Sequence, residues 1–111
     1  MKHIDYSFTD SDLKTCLFAL TYLDMLHNDA DDISHEQISI NKQYAASACE
    51  KLTRANVETL TINEMRVVCA CITFCNLICD GCISADANTV LKCMEYALSL
   101  EKLDKELCSL L

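Results

Sequence analysis

The sequence predicts an all-α fold, a four-helix bundle built from two sequence-related helical hairpins, and three observations predict it. Proline is absent and Gly81 is the only glycine, so little in the chain interrupts a helix. Residues 61–82, TINEMRVVCACITFCNLICDGC, open with a capping box and are apolar on almost every face, the pattern of a helix with neighbours on all sides. The chain also repeats itself: a shift of 52 residues lays ALTYLDMLH (19–27) on CITFCNLIC (71–79) without a gap.

The first helix should start after Thr9. Thr9 and Asp12 stand as N-cap and N3, and Phe8 with Leu13 have the spacing of a hydrophobic staple. Leu13, Cys16, Leu17, Leu20, Leu23 and Leu26 follow at helical spacing, to an end near His27 and Asn28. After an acidic loop, Ser34 and Gln37 form a second capping box. That helix should run to about Arg54, with Ile38, Ala45, Ala48, Cys49 and Leu52 toward the core. Residues 55–60 read as a linker. Thr61 and Glu64 cap the central helix, Leu60 and Met65 staple it, and Gly81 is placed to end it. Asp86 caps the last helix, in which Cys93, Tyr96, Leu100, Leu103, Leu107 and Leu110 alternate by three and four as a packing seam.

The caps obey the repeat. Thr9 falls on Thr61, Asp12 on Glu64, and the staple residue Phe8 on Leu60. Tyr44-Ala45 echoes Tyr96-Ala97 at a shift of 52, and Glu50-Lys51-Leu52 echoes Glu101-Lys102-Leu103 at 51. The hairpins 9–54 and 61–110 each carry an apolar face that only the other can cover, so residues 1–111 read as one helical domain.

The net charge of −8 is uneven: eight acids against two lysines over residues 1–40 give −6, residues 41–60 give +1, and residues 61–111 give −3. Direct nucleic-acid binding needs clustered Lys and Arg and is disfavoured. A basic surface on a protein partner is the natural counterpart. The polar, acidic start MKHIDYSFTDSD has no secretory or transit character, and the strongly apolar run 67–79 covers 13 residues, short for a bilayer. The expectation is a cytoplasmic protein with reduced thiols and no membrane contact.

Nine cysteines raise a second reading. Cys71, Cys75, Cys79 and Cys82 fall at i, i+4, i+8 and i+11 and would share one stripe of a continuing helix. This stripe is similar to those of the cysteine-lined copper-storage four-helix bundles, a resemblance confined to the central helix, and it implies Cu(I) held by thiolates. Cys79 and Cys82 also form a CxxC, half of a zinc site that Cys93, Cys108, His27 or His35 would have to complete. The repeat weighs against a ligand stripe: Cys69, Cys71 and Cys75 correspond to Leu17, Ala19 and Leu23, as expected of cysteine used as a small core hydrophobe. His27 on Cys79 is the one correspondence of ligand with ligand.

A calcium loop centred on Gly81 would place Ala87 where a bidentate Glu is required. His3, His27 and His35 lie near helix ends or the terminus, and no nucleophile, phosphate-loop or metalloprotease motif is present, so the chain does not read as an enzyme. The expected function is a small acidic protein-interaction module, regulatory or inhibitory. Its contact surface would be Asp10, Asp24, Asp29, Asp31, Asp32 and Glu36. One form is an anti-defence inhibitor that occupies the cationic groove of a nucleic-acid enzyme, an analogy of size and charge. A homodimer anchored by Tyr6, Phe18 or Met25 is a third reading.

Overall fold

Residues 5–111 are described by a computed structural model. Among them there are six α-helices and no strand: α1 (Asp10–Leu20), α2 (Leu23–Asp29), α3 (His35–Thr53), α4 (Ile62–Cys79), α5 (Ala87–Glu95) and α6 (Ala97–Glu106). Val57–Thr59 and Cys108–Leu110 add two 3-10 turns.

The local start signals act as their chemistry dictates. Thr9 Oγ1 accepts from the Asp12 amide at 3.0 Å, and Asp12 Oδ2 accepts from the Thr9 amide at 3.0 Å. Thr61 and Glu64 make the same reciprocal pair at 3.2 and 2.7 Å. At α3 only half of the box forms: Ser34 Oγ accepts from the Gln37 amide, whereas the Gln37 side chain donates to Asn41 Oδ1.

The two hydrophobic arms predicted as single helices are each broken. At the first break the Thr21 and Tyr22 amides donate to carbonyls three residues back, Phe18 and Ala19, and the Thr21 hydroxyl also donates to the Phe18 carbonyl at 2.6 Å. This tightening into 3-10 geometry interrupts the α ladder. The Tyr96 amide does the same to Cys93 between α5 and α6. The breaks meet in space, because Phe18 stacks on Tyr96 with centroids 4.1 Å apart and meets Tyr22 edge-on at 5.2 Å.

α4 is the centre of the molecule. Met65, Val68, Cys71, Ile72, Cys75 and Ile78 are essentially inaccessible to water, and α4 packs against all five other α-helices. By length and composition α4 is apolar enough to cross a bilayer; in this fold its apolar residues form the core. α1 lies against α3, α4 and α6.

Two helices end in the same way. Beyond α4 the Gly81 amide donates to the Ile78 carbonyl and the Cys82 amide to Leu77, with Gly81 at φ +76°. Beyond α3 the Ala55 amide donates to Leu52 and the Asn56 amide to Lys51, with Ala55 at φ +56°. Both are Schellman motifs, and the first residues of the expected linker belong to one of them. Cys49, expected in the core, is exposed on the outer face of α3, and Leu110 leaves the packing seam at 53% exposure.

The offset seen in the sequence reappears as crossed ion pairs. Asp12 and Glu64, the two capping acids, are 1% and 2% exposed. Lys102 Nζ lies 3.2 Å from Asp12, and Lys51 Nζ lies 2.8 Å from Glu64. Lys51 and Lys102 are themselves counterparts in the repeat, so each half supplies the cation for the capping acid of the other. Burial works against both carboxylates. The Thr9 amide and the Lys102 ammonium outweigh it at Asp12, as do Lys51 and Ser47 at Glu64, and both carboxyls are held below their usual range.

Candidate functional site

The six predicted contact acids are all exposed, but they do not form one surface. Asp29, Asp31, Asp32 and Glu36 gather where α2 turns into α3, and among the described residues none has a cation within 4.0 Å. Asp24 on α2 is already paired with Lys42 at 3.6 Å, with both side chains largely in water. Asp10 opens α1, with the whole of α1 and α2 between it and the α2–α3 turn. The acidic surface is therefore the α2–α3 turn, with Asp24 at its edge and Asp10 outside it.

The four-cysteine stripe does not form. Cys71 and Cys75 are buried and Cys79 is half-buried on α4, but the left-handed turn at Gly81 carries Cys82 off the helix and into solvent. Among the described residues no three Cys, His, Asp or Glu side chains gather as a metal would require. Burial pushes the Cys16 and Cys71 thiols up to about 12 and raises Cys75 further, which suits packed sulfhydryls rather than thiolates. At Cys69 the neighbouring Cys108, and then burial, raise the thiol strongly. The intended completions of a zinc site are also dispersed: Cys93 is buried, Cys108 is half-buried beside the Cys69 carbonyl, and His35 is exposed. His3 lies outside the described residues.

A cleft that the sequence did not single out lies between α2, α3 and α4, with a volume of about 260 Å³. Leu23 and Leu26 of α2, with Val67 and Ala70 of α4, give it an apolar floor. Gln37, Asn41 and Tyr44, at i, i+4 and i+7 of α3, form one wall. Asn63 and Arg66 of α4 form the other. The polar groups are tied together: Gln37 Nε2 donates to Asn41 Oδ1 at 2.9 Å, Asn41 Nδ2 meets His27 Nε2 at 3.2 Å, and Asn63 Nδ2 donates to the Tyr44 hydroxyl at 3.2 Å. His27 is 6% exposed, and its Nδ1 has no hydrogen-bond partner among the described residues. No carboxylate lines the cleft, and Arg66 has none within 4.0 Å among the described residues.

A wider groove of about 450 Å³ runs between the start of α1 and the α5–α6 junction, past Asp12, Lys102, Met94 and Leu98. Leu91, Met94 and Leu98 stand at i, i+3 and i+7 and are 61%, 54% and 86% exposed. Their spacing would have shown a second face on the last arm, but one opposite the seam that the leucines of α6 already explain. The residues expected to anchor a dimer are otherwise engaged: Tyr6 donates to Asp12, Phe18 stacks on Tyr96, and only Met25 is exposed.

Comparison with known protein families, curated proteins and solved structures finds no match.

Proposed function

We propose that this chain is a small acidic protein-interaction module of the cytoplasm, acting on a partner with a basic surface rather than on a substrate. The observation that supports it is the group of exposed carboxylates at the α2–α3 turn, Asp29, Asp31, Asp32 and Glu36, none with a cation within 4.0 Å among the described residues. Such a cluster steers a cationic partner over a distance set by ionic strength, about 8 Å at physiological salt. Its two buried carboxylates, by contrast, are each paired with a lysine, and the Cys71 thiol is packed in the core. A regulatory or inhibitory role, including occupation of a cationic groove on a nucleic-acid enzyme, is the form this reading takes.

The architecture proposed with it is a four-helix bundle of two related hairpins. α1 with α2, and α5 with α6, each count as one arm broken at Tyr22 and Tyr96. The crossed Asp12–Lys102 and Glu64–Lys51 pairs support this approximate two-fold relation.

The test uses octa-lysine as the probe, followed by amide NMR at low and at physiological salt. The expected outcome is shifts centred on residues 29–36, weakened by salt and lost in the D29K/D31K/D32K variant. Cross-linking in cell extract should then capture a basic protein with the wild type and not with the variant. Shifts scattered over all acidic positions, or capture unchanged by charge reversal, would overturn the reading.

A further inference from the structure

We infer that the cleft between α2, α3 and α4 binds a small organic carboxylate with a short apolar body. This inference is independent of the acidic turn. It rests on a charge contrast. The chain carries a net charge of −8, yet among the described residues no acid lines this cleft and its only charged group is Arg66. A guanidinium presents a planar fork that fits a carboxylate with two parallel hydrogen bonds. Arg66 is exposed on α4 without a competing carboxylate among the described residues, so its fork is open to an incoming anion.

The surroundings define the rest of the ligand. Leu23, Leu26 and Val67 offer an apolar floor, which suits a short alkyl chain or a single ring. The volume, 260 Å³, sits just below the ~300–1,000 Å³ typical of small-molecule pockets, so the body must be small. The polar wall is held in place before any ligand arrives. Asn41 is fixed by Gln37 on one side and by buried His27 on the other, and the Asn63 amide holds the Tyr44 oxygen, leaving the phenolic hydrogen available to donate. Donors positioned in advance in this way lose little entropy on binding. His27 itself does not line the cleft; it reaches it only through Asn41, and its buried Nδ1 is the one buried side-chain nitrogen or oxygen without a hydrogen-bond partner among the described residues.

Two matched pairs of probes test the inference on residues 1–111: hexanoate against hexanamide, and benzoate against benzamide. Each is titrated while the backbone amides and the Arg66 Nε–H are followed by NMR. The expected result is saturable shifts at Asn41, Asn63, Arg66 and Ala70 with at least one carboxylate, and binding of its amide about tenfold weaker or worse. Arg66→Gln should weaken the carboxylate about tenfold, the equivalent of about 1.4 kcal/mol, while changing amide binding less than twofold. Ala70→Phe, at an exposed position that leaves the core untouched, should fill the groove and abolish binding of both. Equal binding of acid and amide, carboxylate binding indifferent to Arg66→Gln or Ala70→Phe, or no saturable shifts with either acid would overturn it.

Discussion

Glu64 holds three jobs with one carboxylate. It caps α4 through the Thr61 amide, accepts from the Ser47 hydroxyl, and pairs with Lys51 at 2.8 Å. Glu64→Gln keeps the shape but leaves the ammonium of Lys51, three-quarters buried, facing a neutral amide, and should lower unfolding free energy by about 2 kcal/mol. The pH dependence follows from the same carboxylates. Asp12 and Glu64 are held below the ordinary values of 3.8 and 4.5, so the unfolded chain takes up protons first as pH falls. Their contribution is fully present above the unfolded values and is lost progressively as pH drops through the folded ones. Urea midpoints should therefore be flat from neutrality to about pH 5 and fall below it. The fall should be shallower in Glu64→Gln. The thiols give a second reading at this scale. Exposed Cys49 and Cys82 should react with a disulfide reagent within seconds to minutes, Cys79 and Cys108 more slowly, and the five buried thiols only on unfolding. Prompt modification of Cys71 or Cys75 in the folded protein would mean that α4 is not a closed core.

At the scale of the helix, the stops offer a matched pair of substitutions. Gly81 occupies its left-handed position with open space around it, nothing lying within 4 Å of where a Cβ would stand, so Gly81→Ala costs only the backbone strain, about 1 kcal/mol. Ala55 bears that strain already at φ +56°, and Ala55→Gly should raise stability by about 0.5–1 kcal/mol, read as a higher urea midpoint. An unchanged or lowered midpoint would mean that the Ala55 turn is not left-handed in solution. This pair also shows where the sequence was legible. Capping boxes and the Gly81 stop are local chemistry and could be read directly. The Ala55 stop could not, because alanine carries no sign of φ > 0. The breaks at Tyr22 and Tyr96 were hidden because the apolar periodicity continues across both, and that they lie together is visible only in the stacking of Phe18 on Tyr96. The cleft was hidden for a related reason. Gln37, Asn41, Asn63 and Arg66 look like ordinary solvated residues until two helices set them face to face. The acidic turn was visible as composition, whereas the separation of Asp10 from it depends on the length of the arm.

For the whole molecule, the crossed pairs make the two halves mutually dependent. The capping acid of the first half is neutralised by Lys102, and that of the second by Lys51, so neither half alone can keep its buried carboxylate paired. α4, meanwhile, would lose the cover of α1, α2 and α3. Fragments 1–56 and 57–111, cut beside the 3-10 turn at Val57–Thr59, should each show weak helicity and no cooperative unfolding. Mixed in equal amounts, they should regain the helical circular dichroism of the intact chain and a sharp melt, through an association that saturates at one to one. Glu64→Gln in the second fragment should weaken that association by about tenfold or more, because the interaction that it removes now spans the interface. Asp12→Asn in the first fragment should act in the same direction. If either fragment instead folds alone with the amide shifts of the intact protein, the hairpins are autonomous units and the two-fold pairing is incidental to folding. If the fragments associate but Glu64→Gln and Asp12→Asn leave the affinity unchanged, apolar burial around α4 alone holds the halves together, and the buried lysine–carboxylate pairs serve only to set their register.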